Sequence, residues 1–242
     1  MNPFRACILA GAIGLACTST TIAGPCWVEG VDAGSLPGNK QDVMGSGSFT
    51  CIVGELTPVV VAAGTDPDLE DLYLIQICDP EDFSAQTFQP PGNASFDTQL
   101  WLFDLDGRGL LGSDDTSNTG SRIAAPSTDG TGQIIPGPGL YLLGISSKNR
   151  NPVSGGDPIF LFDGPQEISG PDGPGGQGIL DQWVGPGQHG NYVIAITGAT
   201  WVDQNCVPAA STWGLLVMAG LLAIGGTLAI RGRAAGNSAG TL

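Results

Sequence analysis

Residues 96–108 read FDTQLWLFDLDGR, an apolar run that ends in an Asp106-Gly107 pair. Short runs of leucine and aromatic side chains predict a β-strand, here over residues 98–104. Asp and Gly both tolerate the positive φ angles of a tight turn, so the pair predicts a hairpin that leads into a second strand. This segment therefore indicates an antiparallel sheet.

Similar short apolar runs recur along the chain, separated by clusters of Gly, Pro, Asp and Ser. They predict further strands over residues 49–53, 58–63, 72–78, 140–146, 158–162 and 192–202. The run over 72–78 is almost continuously apolar, which predicts a central strand packed on one face and largely covered on the other. Because no amphipathic helical pattern interrupts the series, we expect an all-β fold, an antiparallel β-sandwich of jelly-roll type, over residues 45–206.

One segment of this region differs in composition. Residues 163–190 hold nine glycines and four prolines in 28 positions. Such a composition buries little apolar surface, so it predicts a long loop outside the sandwich core, with a short structured island over 179–184. The loop is either a disordered insertion or a binding loop, because Trp183 would otherwise be an exposed aromatic side chain.

The N-terminus has the pattern of an export signal. Arg5 precedes an apolar run over residues 6–16, and small residues follow up to Gly24. This pattern predicts a signal peptide over residues 1–23, with a first transmembrane helix or a lipoprotein signal that uses Cys17 as the alternatives. Residues 24–44 are then expected to form an N-terminal extension of the domain.

The C-terminus carries a second apolar run. Residues 213–230 contain no charged side chain. At about 1.5 Å of rise per residue, a helix over this run measures roughly 27 Å, close to the ~30 Å hydrocarbon core of a bilayer. We therefore expect one transmembrane helix there, followed by a cytoplasmic tail over residues 234–242.

Charge and cysteine content support an exported protein. All 23 acidic residues lie between the two apolar ends, together with only five of the eight basic residues. So acidic a surface excludes nucleic-acid binding, which requires clustered Lys and Arg. In an oxidising compartment, the four remaining cysteines predict two disulfides, and three pairings are possible. The pairing that we favour joins Cys51 to Cys78 and Cys26 to Cys206.

Motifs for catalysis are missing from the sequence. The single histidine, His189, lies in the glycine-rich segment, and no G-x-S-x-G or H-E-x-x-H motif occurs. Carboxylate pairs such as Glu70 and Asp71 are adjacent in a predicted strand, where neighbouring side chains point to opposite faces. We therefore expect a protein that is not an enzyme.

A run of carboxylates surrounds the predicted hairpin. Hard oxygen ligands of this kind suit Ca²⁺. We expect four side chains to converge there as a candidate calcium site: Asp104, Asp106, Asp114 and Asp115. The alternative is that these carboxylates only cap turns on a solvated edge of the sheet.

Five segments, taken in order, resemble the bacterial pre-peptidase C-terminal domain. They are EDLYLI at 70–75, FDTQLWLFD at 96–104, SDD at 113–115, SRI at 121–123 and PGLYL at 138–142. The resemblance covers roughly residues 45–147 and implies an accessory β-sandwich of the kind often attached to secreted proteases and collagenases. Some collagen-binding relatives of that family bind calcium.

The C-terminal run is preceded by VPAASTWG at residues 207–214. This stretch resembles the exosortase-type, PEP-CTERM-like sorting signals, in the variant whose motif runs Ile-Pro-Thr-Leu-Ser-Glu-Trp-Gly. The residues that carry the resemblance are Val207, Pro208, Ser211, Trp213 and Gly214, with Arg231 and Arg233 after the apolar run. It implies a sorting signal over 207–233 that holds the protein in the membrane until an exosortase-like enzyme processes it near Pro208. A plain single-pass anchor is the alternative.

Two functions follow as hypotheses. The first is an exported, non-enzymatic structural or adhesion protein of the cell surface or extracellular matrix, with Ca²⁺, polysaccharide or protein as its partners. The second is a carbohydrate- or protein-binding module that assists a separate secreted hydrolase. Exposed aromatic side chains in a planar row would favour the second, and the candidates are Trp27, Trp101, Trp183 and Trp201.

Overall fold

The computed structural model describes residues 25–46, 49–58, 67–88, 94–116 and 119–206. Over these residues the chain forms fifteen strands and no helix. In chain order they are β1 (Cys26–Val28), β2 (Gln41–Asp42), β3 (Cys51–Leu56), β4 (Glu70–Ile77), β5 (Ser84–Gln86), β6 (Thr98–Phe103), β7 (Gly109–Ser113), β8 (Arg122–Ala124), β9 (Gly139–Ser147), β10 (Asn151–Ser154), β11 (Asp157–Pro158), β12 (Ile168–Ser169), β13 (Gln182–Val184), β14 (Gly190–Thr197) and β15 (Ala199–Thr200).

The described strands form three sheets. A seven-stranded sheet has the order β12-β7-β6-β9-β4-β15, with β2 also paired to β4, and a five-stranded sheet has the order β1-β3-β14-β5-β8. A small sheet has the order β11-β10-β13. The pairings are antiparallel except for β1 with β3 and β2 with β4, which are parallel. The all-β class predicted from the sequence is therefore confirmed.

Strand β4 shows how the layers are held together. Its alternate side chains Tyr73, Ile75 and Ile77 enter a core that also contains Ile52 and Ile194 of the five-stranded sheet. The intervening Leu72 and Leu74 enter a second core on the opposite face of the same strand. Because side chains alternate along a strand, burial on both faces requires an almost unbroken apolar run. The prediction of a central strand covered on both faces is confirmed.

The glycine-rich segment, residues 163–190, supplies part of the second core. Leu180 and Trp183 are buried in the second core, beside Trp101 and Phe103 of β6. The prediction that residues 163–190 lie outside the core is therefore wrong, although the structured island predicted within them contains β13. Glycine is needed for close backbone packing here, because a Cβ on Gly176 would lie 2.0 Å from the carbonyl oxygen of Pro171.

The residues taken from the sequence as an N-terminal extension join both large sheets. Strand β1 pairs with β3 of the five-stranded sheet, and β2 pairs with β4 of the seven-stranded sheet. Ala33 and Val43, between and after these strands, are fully buried in the core that the two sheets share. The segment therefore belongs to the folded domain.

The disulfides join Cys26 to Cys51 and Cys78 to Cys206. The pairing favoured from the sequence is thus wrong. The reason is topological: β1 lies beside β3 with Cys26 opposite Cys51, while β15 lies against the end of β4 and brings Cys206 to Cys78. Two disulfides indicate an extracytoplasmic location.

Some sequence predictions differ from the structure or lie outside it. Of the strand predicted over residues 158–162, only Pro158 is in a strand, β11. Most of the strand predicted over 58–63 lies outside the described residues, as do the signal peptide and residues 207–242. Within the described part of the chain, no helix is long and apolar enough to cross a membrane.

Candidate functional site

The first residues of β4 place two carboxylates on opposite faces of the seven-stranded sheet. Glu70 lies on the face of β4 opposite Tyr73, where its Oε2 accepts a hydrogen bond from Nε of Arg150 at 2.8 Å. Asp71 is on the same side of the strand as Tyr73 and is fully buried between the two large sheets. The two carboxylates thus lie on opposite faces of β4, as expected of neighbours in a strand.

Asp71 has an incomplete set of hydrogen bonds. The hydroxyl of Tyr192 donates to its Oδ2, and the hydroxyl groups of Tyr192 and Tyr73 are hydrogen-bonded to each other. Its other oxygen, Oδ1, is buried and has no hydrogen-bond donor. A buried polar atom without a partner costs free energy, and therefore calls for an explanation such as an ion.

Three further carboxylates gather beside it. Asp32 and Asp68 each bring a carboxylate oxygen within 4.8 Å of one on Asp71. Glu29 is joined to Asp71 by a hydrogen bond between the two carboxyl groups, and it accepts the backbone N–H groups of Ala33 at 2.9 Å and Glu55 at 3.0 Å. We call Glu29, Asp32, Asp68 and Asp71 the acidic cluster. Among the described residues, no Lys or Arg forms an ion pair with any of its members.

Burial and mutual repulsion raise the pKa values within the acidic cluster. Burial raises the pKa of Asp68 to about 7, with a further contribution from the charges of Asp32 and Glu29. Burial is also the main cause that raises the pKa of Asp71 well above its ordinary value, followed by repulsion from Glu29 and Asp68. The pKa of Glu29 is raised by burial as well. Without a cation, the cluster is costly to ionise.

The cluster adjoins a cleft of about 420 Å³ between the N-terminal segment and the start of β13. Asp32 and Asp68 line this cleft together with Glu70, Arg150 and Trp183. A metal ion would therefore reach the carboxylates from solvent. Carboxylate oxygens are ligands for hard cations such as Ca²⁺, and oxygens that each lie about 2.4 Å from one ion are at most about 4.8 Å apart. The donor set and its spacing fit Ca²⁺.

The calcium ligands predicted from the sequence are not brought together. Asp104 lies in the turn after β6, where its Oδ1 accepts the backbone N–H groups of Asp106 at 3.0 Å and Arg108 at 2.8 Å. Asp114 and Asp115 follow β7 and therefore lie at the opposite end of the β6–β7 hairpin. The structure places them beside Asp97 instead. The predicted set of four is thus corrected: one of its members caps the turn, and two join a different cluster.

The four tryptophans considered as candidates for carbohydrate binding are mostly buried. Trp101, Trp183 and Trp201 are at most 4% exposed, and Trp27 packs half-buried against the core. They do not form an exposed planar row. The predicted sorting residues, from Val207 to Arg233, lie outside the described residues.

The sequence contains a pattern that indicates the acidic cluster, but the prediction of a metal site used the hairpin carboxylates instead. Residues 66–71 read DPDLED, a dense acidic run that leads directly into an apolar strand. Carboxylates at the start of a buried strand are brought close to the core by the strand itself. Glu29 and Asp32 carry no comparable signal, because their approach depends on β1 pairing with β3.

No protein-family model matches this chain, and neither does any curated protein or solved structure to which it was compared. What the fold and the disulfides define is therefore a class: an extracytoplasmic all-β protein with a buried acidic cluster.

Proposed function

We propose that this chain is an exported, non-enzymatic structural or adhesion protein of the cell surface or extracellular matrix, with a β-sandwich that Ca²⁺ stabilises at the acidic cluster. The observation that carries the proposal is the gathering of carboxylates around the buried Asp71, for which the described residues supply no Lys or Arg ion pair. A cation would relieve both the unpaired oxygen and the repulsion that raises the neighbouring pKa values. Within the all-β class, the architecture that we propose is a jelly-roll sandwich similar to the pre-peptidase C-terminal domain.

The two disulfides and the acidic composition support export. We propose that residues 1–23 are a signal peptide and that residues 207–233 are a sorting signal, held in the membrane and processed by an exosortase-like enzyme. The disulfide at Cys206 supports this division, because it ties the residue directly before the proposed signal to the end of β4. Burial of three of the four candidate tryptophans gives no support to the alternative, a carbohydrate-binding accessory module.

Calcium and protons are expected to compete for the acidic cluster. In chelator, the melting temperature of the full-length chain should fall as the pH rises from 5 to 8. The folded pKa of Asp68, about 7, lies above its ordinary value of 3.8, so the folded state binds more protons than the unfolded state between these values. Stability is therefore lost as the pH rises through this window, and Asp71 and Glu29 act in the same direction.

At pH 8, Ca²⁺ at about 100 times its Kd should add about 2.7 kcal/mol of stability, or roughly 5–10 °C in melting temperature. Asp71→Asn should abolish the part of this gain that binding at the acidic cluster supplies, and it should raise the melting temperature in chelator, because it removes a buried carboxyl group. Asp157→Asn, an exposed aspartate on β11, is the matched control and should leave both values unchanged. A melting temperature of the wild-type chain that does not respond to Ca²⁺ would refute the calcium part of the proposal.

Sorting is tested by mass spectrometry of the protein recovered from its native cells. We expect a mature N-terminus near Gly24 and a C-terminus near Pro208, because the proposed signals are removed on both sides of the domain. Pro208→Ala should leave the C-terminal segment attached, and Ala234→Gly, in the proposed tail, should not. A wild-type chain that still ends at Leu242 would show a permanent anchor instead.

A further inference from the structure

A small cleft lies where the edges of the two large sheets meet. Strand β8 is an edge of the five-stranded sheet, and β12 is an edge of the seven-stranded sheet. The backbone N–H of Arg122, in β8, donates to Oγ of Ser113 at 3.3 Å, and Ser113 lies opposite Ile168 of β12. The cleft has a volume of about 270 Å³. We call it the edge cleft, and its polar side chains are Gln86, Ser113, Asp115, Thr116, Arg122 and Gln166.

Arg122 supplies a guanidinium that the rest of the described chain leaves unpaired. The protein is strongly acidic, with a formal net charge of -15, so carboxylate partners are plentiful. The other basic side chains in the described ranges each have an ion pair or a hydrogen bond; they are Lys40, Arg108, Lys148 and Arg150. The guanidinium of Arg122 forms neither with any described residue. Its N–H donors are therefore free to meet a ligand in the cleft.

The other side chains of the edge cleft complement this guanidinium. Gln86 is directly opposite Arg122 in the antiparallel β5–β8 pair, so the two side chains lie on the same face. The side chains of Gln86, Thr116 and Gln166 likewise form no hydrogen bond with another described residue. Asp115 adds a carboxylate, which only accepts hydrogen bonds, whereas amides and hydroxyls both donate and accept. The cleft therefore presents donors and acceptors side by side.

Gln166 occupies a backbone position that favours glycine. Its φ is 65°, in the left-handed region, and among the described residues only Asn149 shares a positive φ without being glycine. Asparagine is enriched in that region, but glutamine is not. The turn is fixed by Glu167, whose Oε2 accepts the backbone N–H groups of Asp163 and Gly164, each at 3.0 Å. Because glycine would adopt this φ without strain, the glutamine side chain indicates a role beyond forming the turn.

The edge cleft fits a ligand that carries several adjacent hydroxyl groups. A hydroxyl both donates and accepts, so the hydroxyls of one sugar ring can accept from Arg122 and donate to Asp115 together. An anion would be repelled by Asp115 and by the acidic protein as a whole, and a cation would be repelled by Arg122. Ile168 adds an apolar side chain against which the C–H groups of the ring can pack. The volume is near the lower end of the ~300–1,000 Å³ of ordinary ligand sites, which suits one ring and not a long chain.

We propose that the edge cleft binds one neutral sugar ring, such as the end unit of an extracellular polysaccharide, through hydrogen bonds from Gln86, Arg122 and Gln166 and to Asp115. Among the described residues no tryptophan lines the cleft, so recognition here is by hydrogen bonds and not by stacking on an aromatic ring. The site names a partner class for the adhesion protein and in that respect rests on the proposed function. It does not depend on calcium, because none of its residues belongs to the acidic cluster. Weak binding to one ring becomes stronger when several chains on a surface engage the same polymer.

Saturation-transfer NMR of the full-length chain in chelator tests the proposal, with the methyl glycosides of glucose, galactose and mannose as probes. We expect at least one of them to bind, with a Kd on the order of 1 mM, as is usual for so small a ligand. Arg122→Ala should weaken that binding about tenfold or more, because hydrogen bonds from a charged group are lost. Lys40→Ala removes the same charge outside the cleft and should leave the Kd unchanged.

Gln166→Gly separates a binding role from a structural one. It should weaken sugar binding about fivefold without lowering the melting temperature, because glycine relieves the backbone at this φ. A lower melting temperature with unchanged binding would overturn the role of Gln166.

The whole proposal would be overturned if none of the three glycosides bound, if Arg122→Ala left their binding unchanged, or if methyl glucuronide alone bound. Sugar binding in chelator, by a chain whose melting temperature does not respond to Ca²⁺, would support the edge cleft and refute only the calcium part of the proposed function.

Discussion

Replacing Cys78 and Cys206 with serine should lower the free energy of unfolding by about 5 kcal/mol, the largest effect on stability that we expect in this protein. The bond closes a loop with a sequence separation of 128 residues. In the chain-entropy account, an unfolded chain regains more freedom when a longer closed loop is opened. The same bond secures β15 against β4, because Cys206 shortly follows β15 and Cys78 directly follows β4. Urea denaturation of the full-length oxidised chain measures the change.

The other disulfide provides an internal control. Cys26 and Cys51 are separated by only 25 residues, so Cys26→Ser/Cys51→Ser should cost about 3.5 kcal/mol. Equal losses in the two double variants, or the reverse order, would contradict the dependence on loop length. Peptide mapping without reduction checks the pairing itself, since a peptide that links Cys51 to Cys78 would contradict the structure.

Much of the all-β fold could be predicted from the sequence, because its central strands are buried on two faces. Strand β4 must place apolar side chains on both faces. This requirement produces an apolar run that can be recognised in the sequence without knowing which strands pair with it. The hairpin turn at Asp106-Gly107 was equally legible, since the positive φ of 89° at Gly107 is a local requirement of the backbone. These features depend on neighbouring residues only.

The disulfide pairing and the acidic cluster could not be predicted, because they depend on which strands lie side by side. Cys26 meets Cys51 only because β1 pairs with β3 in parallel, and no local sequence pattern predicts this pairing. Asp97 meets Asp114 because β6 and β7 are antiparallel, and the hairpin prediction already implied this. The antiparallel pairing of β6 with β7 would have placed Asp104 at the turn and Asp114 at the opposite end of the hairpin. The sequence argument instead placed all four hairpin carboxylates at the turn.

Trp183→Ala should cost about 3–5 kcal/mol of folding free energy, a loss typical of a large aromatic side chain removed from a core. Trp183 is 4% exposed, with its ring centroid 6.2 Å from that of Trp101 and 6.4 Å from that of Phe103. Its indole N–H also donates to the carbonyl oxygen of Ser35 at 2.6 Å. The tryptophan thus fastens the glycine-rich segment to the seven-stranded sheet and to the N-terminal segment. Urea denaturation again measures the loss.

Substitution of the neighbouring residue, Val184, is the control that distinguishes a packed segment from a mobile loop. Val184 lies on the same strand but is 38% exposed, so Val184→Ala should cost no more than about 0.5 kcal/mol. Trp183→Phe should fall between the two, because it keeps an aromatic ring and leaves the Ser35 carbonyl without its donor, at about 1–3 kcal/mol. If Trp183→Ala cost as little as Val184→Ala, residues 163–190 would not be part of the core. The composition of this segment would then have predicted its structure correctly, and the second core beneath it would lose its cover.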